Sequence, residues 1–198
     1  MTPLPEVRYL PAQPTAELVF GLARPDQGCV VVQLVAARTG DGTTALARDM
    51  AIVAAGPAGL RTLLVAVEAA PNWPGALLNP ARLGEMDATG LRRVGETRLS
   101  VAMLAAGEPP LAWLTRLRDW RPAFDLIVLD IPAIDRSAAG VLLAPHVDTS
   151  LLVVGAETTP LDTVTALRNR LWDVGGTVKG TLFNRQRRHM PRVFERML

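Results

Sequence analysis

Six short apolar runs constrain this chain more than any other feature: 30–36, 62–67, 99–104, 126–129, 149–154 and 177–182. A run that is hydrophobic at nearly every position, rather than at every second one, needs cover on both faces once it is extended. That is the condition of a parallel strand with helices on either side. The intervening segments supply the helices. A helix is predicted over 45–55 with Gly56 at its end, and Trp113, Leu117 and Trp120 recur at helical spacing as core residues. Thr159 is placed to cap a further helix with Pro160 at its first position, Leu161, Val164, Leu167, Leu171 and Val174 as its apolar stripe, and Gly175-Gly176 as its stop. The expected fold class is α/β: a doubly wound, mainly parallel sheet with helices on both faces and a ligand crevice at the carboxyl ends of the strands.

A chain of 198 residues, 49% of them hydrophobic, can bury one substantial core, so a single α/β domain is expected over 28–184. Residues 1–27, with five prolines and a helix-compatible piece at 16–23, read as an N-terminal arm. Residues 185–198 read as a basic tail, in which Arg185, Arg187, Arg188, Arg192 and Arg196 stand against Glu195 alone. The lone cysteine, Cys29, excludes an internal disulfide framework and suits a reducing compartment; a small buried residue at the start of the first strand is its expected role. No apolar run approaches the roughly 20 residues that cross a bilayer, and the expected location is cytoplasmic. A formal net charge of +2 gives no global field for nucleic acid.

The first strand leads into Ala37-Arg38-Thr39-Gly40-Asp41-Gly42-Thr43-Thr44, which has the form of a phosphate loop. Such loops work by curling backbone N–H groups around phosphate oxygens at a helix N-terminus. Gly40 and Gly42 permit the curl, and Thr44 stands where a hydroxyl reaches Mg²⁺. Thr43, however, occupies the position of the lysine whose ammonium offsets charge on the transferring phosphoryl group. Threonine offers a hydrogen bond but no charge. A charge-assisted contact is worth about 1.5–3 kcal/mol, and more in a transition state, so binding is weakened and turnover is weakened further. Arg38 either lies exposed without a ligand or folds back over a phosphate. As alternatives to nucleotide chemistry, Gly40 and Gly42 can form an ordinary turn and Thr44 can cap the following helix.

Asp130 ends the run Phe124-Asp125-Leu126-Ile127-Val128-Leu129 and would sit at a strand tip beside the loop, the position of a carboxylate that holds Mg²⁺ through water. With Ile131-Pro132-Ala133 after it and 142–154 beyond, the chain resembles the ParA/MinD-like P-loop proteins, and most closely the cytoplasmic domain of the bacterial tyrosine kinases of capsule and exopolysaccharide export. The resemblance runs from Glu17 onward. It implies a P-loop NTPase-like fold, and it implies that Glu68 and Asp130 attend the metal together with Thr44, and that Asn184, in Gly180-Thr181-Leu182-Phe183-Asn184-Arg185, faces the adenine. Pro74-Gly75-Ala76-Leu77-Leu78 and Ala105-Ala106-Gly107-Glu108-Pro109-Pro110 match further landmarks of the family.

Its departures point one way. Thr43 replaces the lysine, and Ala66 replaces the first carboxylate of the second motif. The one tyrosine, Tyr9, lies in the arm rather than in a C-terminal cluster. Glu17, Phe20 and Ala23 keep little of the E-x-x-R-x-x-R pattern that serves ring assembly. The resemblance thus implies a degenerate, pseudokinase-like member with no catalytic residue of its own. It would carry no cofactor, or a weakly bound ATP or ADP with Mg²⁺ at Arg38, Gly40, Asp41, Gly42, Thr43, Thr44 and Asn184. Its implied partners are a membrane polysaccharide co-polymerase (the chain-length regulator) or a related kinase, with self-association, no nucleic acid and recruitment to the inner membrane through a partner. The alternatives are an active Mg-ATP-dependent tyrosine kinase or ATPase with an atypical loop, and a ParA/MinD-like positioning module that uses the basic tail.

Overall fold

The computed structural model describes residues 4, 6, 10, 12–24, 26–68, 73 and 78–184. The basic tail, Tyr9, residues 69–71 and the landmark at 74–77 lie outside the described residues.

All six apolar runs are strands of one eight-stranded sheet, ordered β3-β4-β5-β2-β6-β1-β7-β8. They are β1 (Val30–Ala36), β2 (Thr62–Val67), β5 (Leu99–Leu104), β6 (Leu126–Asp130), β7 (Thr149–Gly155) and β8 (Val178–Asn184). These six pair in parallel. Two short strands, β3 (Leu83–Met86) and β4 (Arg92–Val94), form an antiparallel hairpin at the β5 edge that the apolar runs did not announce. The helices whose bounds lie within the described residues are α1 (Ala12–Leu22), α2 (Thr43–Ala55), α3 (Pro110–Trp120), the short α4 (Ala139–Leu143) and α5 (Leu161–Asp173).

Burial on both faces explains the unbroken hydrophobicity. Along β1, Val32, Leu34 and Ala36 join the core under α1 and α2, whereas Val31 and Val35 join the core under α3, α4 and α5. This alternation is the period of a strand whose successive side chains stand on opposite faces. Trp113, Leu117 and Trp120 are buried in the second core, as their spacing predicts. The stripe expected on α5 is narrower than it reads: Leu167 and Leu171 are buried, but Leu161 is 77% exposed and Val174 40%. Cys29 precedes β1 and is half-buried, and burial pushes its thiol up to about 11, which keeps it protonated and unreactive.

Glu6 and Leu10 are tied to α2 by a charged pair. Arg48 and Asp49 are both buried, with Nη1 2.5 Å from Oδ1. The Leu10 amide donates to Asp49 Oδ2 at 3.1 Å, and Arg48 Nη2 donates to the Glu6 carbonyl at 3.1 Å. Removing one partner of a buried pair strands the other charge in a poor solvent. Asp49→Ala is expected to lower unfolding free energy by about 3–5 kcal/mol, read as a fall in the urea midpoint at unchanged slope.

Candidate functional site

β1 sits between β6 and β7, so the loop that leaves its carboxyl end opens onto the ends of both. Gly40 and Gly42 have φ of +94° and +96°, the left-handed region that glycine enters without a side-chain penalty. Gly42 is the N-cap of α2 and provides no side-chain cap. The first amides of this 13-residue helix therefore face the loop cavity without a capping side chain. The cavity measures about 220 Å³ and is lined by Arg38, Thr43, Thr44, Pro132, Ala133 and Arg136, among others.

Thr44 does not cap α2. It lies inside the helix, and its hydroxyl donates to Asp130 Oδ1 at 3.0 Å. Residues 86 positions apart in the chain are thereby brought together as the loop form and the strand tip predict. Asp130 is buried, and the Trp73 indole N–H donates to its other oxygen at 3.2 Å. Both carboxylate oxygens are thus engaged within the protein. Burial raises the carboxyl of Asp130 to about 6, against the opposing pull of the two hydrogen bonds.

The acidic residue of the loop turns away from the cavity. Asp41 is buried, its Oδ1 accepts from the Thr159 hydroxyl at 2.7 Å, and its Oδ2 has no hydrogen bond among the described residues. Thr159 therefore binds the loop instead of capping α5, whose N-cap is Pro160. Asn184, at the end of β8, donates through Nδ2 to the Asp41 carbonyl at 2.7 Å. Its amide covers Gly42 so closely that a Cβ there would collide with Nδ2. Arg38 reaches to the same side, with Nη1 donating to the Thr158 carbonyl at 3.1 Å. On the opposite flank Asp135 accepts from the Thr39 amide at 2.9 Å and the Thr39 hydroxyl at 2.8 Å, and these bonds hold its carboxyl below the usual range.

Thr43, the first residue of α2, is 8% exposed and lines the cavity. Glu68 follows β2 with φ +53°, a left-handed backbone for a non-glycine residue. Its amide donates to the Leu104 carbonyl, and it makes no hydrogen bond to Thr44 or Asp130. Ala66 pairs in register with Asp130. Among the described residues no three His, Cys, Asp or Glu side chains converge as a metal site. The donor set fits a phosphate group better than a bare divalent ion: glycine-shaped amides and two arginines meet the cavity, but Thr44 and Asp130 alone leave most of a metal's coordination to phosphate and water. Sequence reasoning missed Trp73, Asp135, Arg136 and the loop contact of Thr159. Arg136 and Asp135 follow Asp130 closely enough to have been considered, whereas the Trp73 contact had no local signal.

No protein-family model matches the chain, and no curated protein matches it. Solved structures share its fold. The VpsO kinase domain is 20% identical, with 89% of this chain and 96% of that one covered at a TM-score of 0.71. The kinase domain of Escherichia coli tyrosine kinase ETK is 15% identical, with 94% and 84% covered at 0.69. The septum site-determining protein MinD from Pyrococcus horikoshii OT3, complexed with Mg-ADP, is 15% identical, with 86% and 77% covered at 0.61. The fold is that of the bacterial tyrosine kinase domains and MinD ATPases. Among the described residues no helix is long and apolar enough to cross a membrane.

Replacing Asp130 tests the electrostatics of the site. The folded state keeps the Asp130 proton up to about pH 6, whereas an unfolded carboxyl releases it near 4. The native state is therefore penalised as pH rises from about 4 to 6, by on the order of 3 kcal/mol. Asp130→Asn keeps the shape without the charge. Its unfolding free energy, measured in urea from pH 4 to 8, is expected to exceed that of wild type by a margin that grows through this window and then levels.

Proposed function

We propose that this chain is a catalytically degenerate relative of the bacterial tyrosine kinase domains, acting as a cytoplasmic partner in exopolysaccharide or adhesin biosynthesis and export. The observation that carries the reading is Thr43: the head of α2 has the form of a phosphate site but lacks an ammonium where the terminal phosphates would lie. The hydrogen bonds from Thr44 and Trp73 to Asp130 support it, since they leave a metal-bound water only the remaining lone pairs of a buried carboxylate. So does the presence of Asp41 within the loop, which adds negative charge beside a site for anions.

On this reading Gly40, Gly42, Thr43 and Thr44 bind ATP or ADP weakly. If Mg²⁺ accompanies the nucleotide, Thr44 and Asp130 are the residues to hold it, and the ion would supply charge neutralisation between the phosphates. The protein then acts through its surface, on a membrane polysaccharide co-polymerase or a related kinase. The MinD neighbour's Mg-ADP complex supports nucleotide as the ligand class.

One observation favours the runner-up, an active Mg-ATP-dependent enzyme. Arg38 and Arg136 both line the loop cavity, and either guanidinium could stand in for the lysine. Titration calorimetry and ATP turnover separate the readings. Wild type is expected to show weak ADP binding and no turnover, and Thr43→Lys to tighten ADP roughly 10- to 100-fold, as one regained charge-assisted contact implies. ATP hydrolysis by wild type that Arg38→Ala or Arg136→Ala abolishes would exclude the degenerate reading.

A further inference from the structure

A second cleft, about 470 Å³ and sharing no lining residue with the loop cavity, lies where the β3–β4 hairpin parts from β5. Its size is that of a binding site rather than a packing defect. Met86, Met103 and Trp120 supply apolar wall, and Arg92 and Arg116 supply charge.

The cleft contains an open sheet edge. The Arg98 and Leu104 carbonyls accept from the Thr62 and Glu68 amides, so the even-numbered residues of β5 turn their main-chain groups toward β2. Val101 and Met103 therefore turn theirs to the opposite side. There β4 pairs with β5 only through Arg92 with Val101 and Arg93 with Ser100. One step further the partner of Met103 would be Gly90, but Gly90 has φ +80° and donates to the Asp87 carbonyl in a tight turn. Among the described residues, the Met103 N–H and C=O have no strand opposite them. Unpaired edges of this kind accept an added strand.

The rim is fixed in advance. The Asp87 carboxylate accepts from the Thr89 amide and hydroxyl and from the Leu91 amide, at 2.8, 2.6 and 3.0 Å. The Trp120 indole donates to the Thr89 carbonyl at 3.4 Å and ties the turn to α3. The two arginines flank the open edge from opposite faces. Arg92 shares the face of its cross-strand neighbour Val101, which packs in the core under α1 and α2. Arg116 projects from α3 on the other face, and Glu108 Oε1 orients it at 3.0 Å. Arg92 has no hydrogen bond or ion pair among the described residues.

We propose that this cleft docks an extended acidic segment of a partner protein, which bonds its main chain to Met103 and places two consecutive carboxylates on Arg92 and Arg116. Consecutive residues of a strand point to opposite faces, so an adjacent Asp/Glu pair is the arrangement that meets both guanidinium groups.

The test selects a phage-displayed random heptapeptide library on the full chain, with counter-selection on the Arg92→Glu/Arg116→Glu double variant at matched thermal midpoint. Enrichment of peptides carrying adjacent acidic residues, binding wild type at least 10-fold more tightly than the variant, is expected. In the bound state the Met103 amide should exchange more slowly with solvent, and N-methylation of the peptide residue opposite it should cost at least 10-fold in affinity. The Met103 and N-methyl readouts need no altered protein. Failure of the library to enrich over the variant overturns the proposal, as does peptide binding that leaves Met103 unprotected and ignores N-methylation. Binding of citrate with the same arginine dependence, but of no peptide, would make the cleft a small-anion site and equally overturn it.

Discussion

The central position of β1 is the constraint from which the rest of this structure follows. A strand with β6 on one side and β7 on the other must deliver its carboxyl-terminal loop among the ends of its neighbours. Asp130 from β6, Thr158 and Thr159 from beyond β7, and Asn184 from β8 all reach that loop. The apolar character of β1 fixes its place, since Val31 to Ala36 are buried on both faces and only interior strands offer that cover.

A phosphate loop presents backbone N–H groups at a helix N-terminus, so its backbone has to be held in shape. Here side chains hold it from outside the cavity. Asp135 holds Thr39 from one flank, and Thr159 and Asn184 hold Asp41 from the other. The loop keeps its left-handed glycines through contacts internal to the protein. These contacts hold the shape of the loop without calling on a cationic side chain at position 43.

Much of the fold was legible because burial on both faces leaves a strong mark, and 126–129 or 149–154 can be little else than interior strands. The β3–β4 hairpin was not, because Leu83 to Met86 and Arg92 to Val94 are short, partly exposed and rich in charge, with no apolar alternation to read. At the site, the loop and Asp130 were legible from local pattern and strand position. Thr159 was misread as a helix cap because its acceptor, Asp41, lies 118 residues away, and the cap offered as an alternative role for Thr44 gives way to Asp130, 86 residues away. Local preference favours the nearest amide, and only tertiary packing offers a carboxylate instead. The Trp73 contact with Asp130 was hidden for the same reason, since nothing beside Trp73 in the chain marks it as a donor to a strand tip.

The central proposal, that the loop lacks the ammonium that would clamp the terminal phosphates, is tested most directly by a crystal structure grown with a non-hydrolysable ATP analogue and Mg²⁺. The account predicts density at most for the nucleotide up to its β-phosphate, with Trp73 still on Asp130 and no basic side chain across the loop. An ordered γ-phosphate gripped by Arg38 or Arg136, with Mg²⁺ between Thr44 and Asp130, would contradict it.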